Sequence, residues 1–452
     1  MLLRRARWVT DKYILVMLGL FPLFVTPRRE AYTGITEAKF WFFVGATCLW
    51  LGAVAVLLLI GRLRGERYRP VIRPAHVAMA LFLGAGAVSA IASEYGSLCL
   101  LGADRYDGYV TTVLYAAIFY GVSFLGRPRR RYVWALGISG ALCCIIAVLQ
   151  LAGLDPLQLY PGGLNYYDKY EALNAAFLGT IGNTGLLAAY LCIAAPCLIV
   201  YSLLSEHRWD SVLLLPGALA VGVLLVCDVD AGLVALAGCI LVTVPVVLRD
   251  RRAAKTAAVC AGCLTAAGLA GLYFWPGRSG TLWELSRVLH GELSDEFGSH
   301  RGQIWKACWQ LFLEKPWLGG GPGTAGRRIH IVWQRYIEAL GRDRVVSVGN
   351  AHNVYLGHLV NIGIIGAAGY VGAAVCSLIT WFRRRREGPL YPALGSAFLC
   401  YMIQDFFGIG LCLTAPMAWV VWGLLESSVP RKETAAPGME ETAEPVIDDC
   451  VF

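Results

Sequence analysis

Charge is what this sequence has least of. Only 15% of its 452 residues are charged while 57% are hydrophobic, whereas a soluble domain carries about 25% charged and 45–50% apolar residues. That deficit excludes a water-soluble enzyme, and the mean hydropathy of +0.58 sets the chain among membrane proteins. Three further features are lacking. The glycine-rich run Gly319-Gly320-Gly321-Pro322-Gly323 has no Lys-Ser or Lys-Thr after it, which excludes a nucleotide-binding loop. Cys260 and Cys263 have no His or carboxylate partner near them, so their spacing reads as helix packing rather than a metal or redox pair. The first apolar run has no small-residue cleavage site and further runs follow it, so no cleaved signal peptide is expected.

What the chain does have is apolar length. About 20 residues of helix cross the ~30 Å hydrocarbon core, and about twelve such stretches recur, at 13–25, 40–60, 75–92, 109–125, 132–152, 184–204, 211–227, 232–248, 256–274, 353–381, 390–410 and 411–425. The expected fold is therefore all-α, a polytopic transmembrane helix bundle with a large helical extracytoplasmic loop. Nine spans fill residues 1–274, the loop takes 275–351, three spans take 352–426, and an acidic, Pro- and Thr-rich tail at 427–452 is expected to be disordered.

The net charge of +8 separates along the chain. Of 39 basic residues, 24 fall in alternate loops, among them Arg4, Arg5 and Arg7, Arg62 to Arg73, Arg127 to Arg131, Arg249 to Lys255, and Arg383 to Arg386. The positive-inside rule assigns these to the cytoplasm, which puts both termini inside. Ten of the remainder lie in 275–351, an external segment with six tryptophans. Such a loop is too long for a passive connection and too aromatic for disorder.

Within it, 303–313 reads as an interfacial helix with Trp305, Cys308, Trp309 and Phe312 on one side. The glycine run that follows reads as a sharp turn, with a phosphate cradle as the alternative. Residues 324–340 read as a helix carrying Arg328 and Arg335 on one face; a solvated basic face and a diphosphate clamp are both open. His352, entering the next span, feels the positive end of the helix dipole, which favours a neutral ring able to accept a proton. That is what a general base needs, although capping or packing is the commoner role. Cys99 and Cys308 both fall outside the spans and a pairing between them is open.

Several fragments together carry a likeness. His300-Arg301-Gly302-Gln303-Ile304-Trp305, Pro316-Trp317-Leu318-Gly319-Gly320-Gly321-Pro322-Gly323, Ala351-His352-Asn353-Val354-Tyr355-Leu356 and Gly363-Ile364-Ile365-Gly366, in this order, resemble the signature region of the O-antigen ligase and O-antigen polymerase family. Gly102-Ala103-Asp104-Arg105-Tyr106-Asp107-Gly108, Gly179-Thr180-Ile181-Gly182-Asn183 and Gln404-Asp405-Phe406-Phe407 also look like family positions. The resemblance implies a multi-pass glycosyltransferase of the bacterial cytoplasmic membrane, of the fold class that uses lipid-linked sugars. Such an enzyme moves a glycan from an undecaprenyl-diphosphate donor to a hydroxyl of a lipid, glycan or protein acceptor, without metal or cofactor. Carried over to this chain, Arg301 binds the diphosphate and His352 activates the hydroxyl, with Arg105, Arg327, Arg328, Asn183 and Asn353 as further substrate-binding positions; membrane lipid is a partner and nucleic acid is not.

One departure stands out. Many members have Ser-Arg where this chain has Asp228-Val229-Asp230-Ala231-Gly232. Either Arg105, Arg327 or Arg328 replaces the missing cation, or the substrate differs, or activity is impaired; the acids are expected to pair with an external arginine. The main rival reading is a transporter or flippase, which ordinarily carries ionisable residues or broken helices at the membrane midplane. Asp228, Asp230 and Asp405 instead fall near predicted helix ends.

Overall fold

The computed structural model describes residues 1–26, 31–103, 105–159, 165–167, 172–227, 229–337 and 342–427. Among them, eight helices are long and apolar enough to cross a membrane: Gly34–Leu63, Pro74–Ala92, Arg130–Leu151, Thr184–Leu204, Arg208–Val226, Asp230–Val247, Arg251–Tyr273 and Val354–Arg384. The other expected stretches are shorter. Tyr109–Leu125, Leu390–Gln404 and Ala415–Glu426 are helices of 17, 15 and 12 residues. The first stretch is the end of the helix Leu2–Leu15, a π turn Val16–Leu20 and a 3-10 turn Phe21–Leu23, and Pro22 ends its regular hydrogen bonding. Lys39 takes up the loosened end, donating to the carbonyls of Phe21 at 2.8 Å and Pro22 at 2.9 Å.

Most of these helices are apolar all round, so position rather than amphipathicity decides which face is covered. Thr184–Leu204 runs through the middle, with 15 of its 21 residues buried. Arg251–Tyr273 is peripheral, with none buried. Close crossings rely on small residues: a Cβ added at Gly369 would lie 2.6 Å from the Phe82 backbone nitrogen. Several of the basic loop residues pair with acids of neighbouring elements, Arg129 and Arg131 with Asp11, Arg130 with Asp210, and Arg73 with Glu426.

The helix Val354–Arg384 is broken at Gly363, whose φ is +68°. The break exposes two carbonyls and an amide that a continuous helix would use internally. The glycine-rich turn fills the gap: Gly320 N–H donates to the Val360 carbonyl at 3.1 Å, Gly321 N–H donates to the Asn361 carbonyl at 2.8 Å, and Ile364 N–H donates to the Pro316 carbonyl at 2.8 Å. Glycine is required here because a Cβ at Gly319 would meet the Asn361 carbonyl carbon at 2.4 Å. The run is thus a structural turn and not a phosphate cradle, its amides at 320 and 321 being already spent.

The loop corrects the all-α expectation. Residues 324–340 form no long helix; a single turn, Ala325–Arg328, is followed by the strand Val332–Ile337, paired antiparallel with Arg342–Ser347. Arg335 stands opposite Arg344 and shares no helix face with Arg328. Val332, Trp333, Tyr336 and Ile337, with Val345 and Val346 across from them, favour the pleated surface over the helix. A second small sheet joins 165–167, 172–178 and 182–183. Most of the aromatic stretch 160–171, the acid Asp228 and the tail beyond 427 lie outside the described residues.

The expected interfacial helix is the ordered part of Phe297–Glu314, but its buried face is Ile304, Cys308 and Phe312, and Trp309 is exposed. Cys99 and Cys308 are separate buried thiols.

Candidate active site

Seven stretches that are far apart in sequence converge on a cavity of about 580 Å³ between the loop and the helix bundle. Arg105, Asn183, Asp230, Glu284, Arg301, His352 and Gln404 line it. Local devices place Arg301, His352 and Asn183.

Arg301 follows a left-handed turn. Gly298, Ser299 and His300 have φ of +57°, +61° and +69°, a conformation that costs a non-glycine residue about 1–2 kcal/mol. The strain is held by contacts: Glu284 accepts from Gly298 N–H at 2.8 Å, and Arg301 Nη1 donates back to the Gly298 carbonyl at 2.6 Å. Arg301 Nε is left buried without a partner. Among the described residues no carboxylate lies within ion-pair distance of it, although Asp230 acts on its charge across the cavity. Burial lowers the Arg301 pKa, and Asp230 opposes that.

His352 is also in the left-handed region, with φ +47°. Its backbone N–H donates to Asn350 Oδ1 at 2.9 Å, and its neighbours are fixed from both sides. Trp305 Nε1 donates to the Ala351 carbonyl at 3.1 Å, and Asn353 caps the helix Val354–Arg384 by accepting from Leu356 N–H at 2.9 Å. Burial, then the Arg301 and Arg105 guanidinium groups, hold the imidazole down at about 4. The ring is therefore neutral at physiological pH and available to accept a proton.

Four of the seven positions expected from sequence, Arg105, Asn183, Arg301 and His352, meet in this cavity. Asn183 also caps Thr184–Leu204, accepting from Gly185 N–H at 2.8 Å. The other three do not line it. Arg328 is buried at 8% exposure and bonds Thr324 Oγ1, the Val360 carbonyl and Asn361 Oδ1; it ties the glycine turn to the broken helix. Asn353 spends its side-chain oxygen on the cap and is 6% exposed. Arg327 is exposed and lies beyond the cavity wall.

His352 also borders a second, smaller cavity of about 130 Å³ between bundle helices and the loop, which Asn353 also lines. Sequence reading did not find this space, nor Glu284 as a wall residue. Its polar groups lie on five separate segments between 107 and 419, and no local spacing ties them together. Among the described residues no group of three or more His, Cys, Asp or Glu side chains is arranged to hold a metal ion.

No curated protein matches the chain. A family model described as O-antigen ligase matches residues 217–371, a segment that contains Asp230, Glu284, Arg301 and His352 but not Arg105, Asn183 or Gln404. This match and the several apolar helices point to a multi-pass inner-membrane enzyme of membrane glycan transfer in polysaccharide assembly. Over residues 217–371, about a third of its length, the chain is similar to the O-antigen ligase family.

Proposed function

We propose that the larger cavity binds the diphosphate of an undecaprenyl-diphosphate-linked glycan on the outer face of the membrane, and that His352 takes the proton of an acceptor hydroxyl. The acceptor oxygen then forms a bond to the anomeric carbon as the bond from that carbon to the diphosphate oxygen breaks. The proton ends on His352 and the electron pair leaves with the lipid diphosphate. A single displacement of this kind inverts the anomeric centre.

The observation that carries the reading is Arg301. Its Nε is buried, unpartnered and held by a strained turn on a wall that His352 shares. A guanidinium stays charged and pairs with phosphate through two parallel bonds, and negative charge gathers on the leaving group as the bond breaks. Fixed cations there stabilise the transition state more than the ground state. Arg105, on the same cavity, is the second cation and stands in for the arginine that the Asp228 to Gly232 segment lacks. Asp230 offsets part of the positive charge on that wall.

The test is deletion of the gene followed by analysis of lipid-linked and surface glycan. Full-length chains stranded on the lipid indicate ligation to a separate acceptor; single repeats indicate polymerisation. Unchanged glycan in both pools overturns the assignment.

A further inference from the structure

A third cavity, of about 300 Å³, lies where the helix Leu2–Leu15 meets the end of the helix Gly34–Leu63. Phe40 of that second helix stacks on Tyr106, next to Arg105 of the larger cavity. At about 1.5 Å per residue, Gly61 lies about 30 Å further along it, the width of the hydrocarbon core. This cavity is therefore a membrane's width away from Arg105, at the surface that the positive-inside rule assigns to the cytoplasm.

Its lining is mixed: Leu3, Leu57 and Leu58 are apolar, and Arg67 and Tyr68 are polar. Glu66 is the one carboxylate among its described lining residues and is already taken up, accepting from Leu2 N–H at 3.1 Å, Leu3 N–H at 3.3 Å and the Met1 amine at 2.8 Å. The Tyr68 hydroxyl donates to the Phe124 carbonyl at 2.6 Å, which seats the loop carrying Arg67 beside the chain that leads to Arg127. The charge of Arg7 acts on both Tyr68 and Arg127. Burial first, then Arg7 and Arg129, lowers the Arg127 pKa.

Neighbouring arginines pair with acids, Arg129 and Arg131 with Asp11, Arg130 with Asp210 and Arg73 with Glu426. Arg7, Arg67 and Arg127 do not: among the described residues no carboxylate lies within ion-pair distance of any of the three. Guanidinium groups gathered without acids repel one another, and an anion among them removes that repulsion. Leucines beside them match a molecule with a phosphate at one end and hydrocarbon at the other.

We propose that this cavity holds the headgroup of an anionic phospholipid of the cytoplasmic leaflet, its phosphate on Arg67, Arg7 and Arg127 and its first methylenes on Leu3, Leu57 and Leu58. The volume is at the low end for a ligand site, so the tails stay in the bilayer, where Leu59 and Leu63 of the same helix are exposed. The lipid is a bound partner, neither donor nor acceptor, and the proposal is independent of the chemistry at His352.

The test uses full-length protein in dodecyl maltoside micelles, with dioctanoyl phosphatidylglycerol, dioctanoyl phosphatidylcholine and inorganic phosphate as probes and native mass spectrometry as the readout. Phosphatidylglycerol is expected to saturate and to bind about tenfold or more tightly than phosphatidylcholine. Arg67→Gln with Arg127→Gln weakens it about tenfold or more, as removal of two phosphate-pairing charges does. Leu58→Trp, which keeps the charges and fills the cavity, weakens it as well. Arg4→Gln with Arg5→Gln leaves it unchanged, since these exposed arginines of the helix Leu2–Leu15 do not line the cavity. The Tm in the same micelles checks the fold of each variant; if the Arg67/Arg127 variant does not fold, the lipid preference and Leu58→Trp decide. Equal binding of the two lipids, an equal loss in the Arg4/Arg5 variant, or unchanged binding in the cavity variants overturns the proposal. So does displacement of the lipid by inorganic phosphate, which would mean a site for a free anion.

Discussion

The two cavities that His352 borders have opposite chemistry. The larger carries Arg105 and Arg301, tempered by Asp230 and Glu284, and opens toward the loop. The smaller carries carboxylates, amides and phenols and has no Lys or Arg on its walls. Burial and the cations of one side hold the imidazole neutral, and the other side adds no Lys or Arg. On the role proposed for His352, this leaves the ring free to accept a proton.

The sharpest way to break this comparison is to remove the shared wall. His352→Ala is expected to lower transfer by about 10²–10⁴-fold while leaving membrane insertion and detergent-extracted yield unchanged, as measured by transfer to a labelled acceptor. Wild-type rates would end the case for a base at this position. Next in size is Arg301→Ala, with a loss of about 10²–10³-fold seen in kcat with lipid-linked donor; Arg301→Lys recovers only part, because a point charge cannot replace the paired bonds.

Gly321→Ala tests the scaffold common to both sides. A Cβ there would lie 2.5 Å from Ser93 Oγ and 2.6 Å from Cys99 Sγ, at φ +120°, and a destabilisation of about 1–3 kcal/mol is expected as a fall in Tm in detergent. A Tm equal to wild type would mean that the turn is not held against Ser93.

The pH profile separates the charges. A group held down at about 4 is deprotonated above that pH, so kcat/KM for the free enzyme is flat from about pH 5 upward and falls as pH drops through 4. Bound diphosphate adds negative charge beside His352, which favours the imidazolium, so the falling limb of kcat lies at higher pH than that of kcat/KM. Coincident limbs would place the diphosphate away from the imidazole. The smallest expected effect is from Asp230→Asn, which keeps the contact that Thr281 Oγ1 makes at 3.0 Å and removes a like charge from the anion site. Donor KM falls a few-fold; a rise would mean that Asp230 is needed to orient Arg301.

The helical bundle was legible because its signal is composition and length, which tertiary contacts cannot reverse. His352 and Arg301, each in a short motif beside a helix start, line one cavity. Arg328 was misread for a physical reason: its seven-residue spacing to Arg335 holds only if 324–340 stays helical, and pairing of 332–337 with 342–347 wins instead. That pairing is a non-local gain that a helical pattern count does not see. Tyr115, Asn350 and Asp405, on the smaller cavity, carry no local signal at all, since only the packing of three distant segments turns ordinary bundle and loop positions into its wall.

The break at Gly363 also sets a timetable for synthesis. Ser93 and Cys99 wait for the turn at 319–323, that turn waits for the carbonyls of Val360 and Asn361, and Val354 N–H in turn waits for the Asp405 carbonyl. Chains are made from the N-terminus at about 5–20 residues per second, so every earlier helix is already inserted before the last of these contacts can close. The contacts that hold the glycine turn and the start of the Val354 helix are thus complete only once the penultimate described helix, Leu390–Gln404, has arrived.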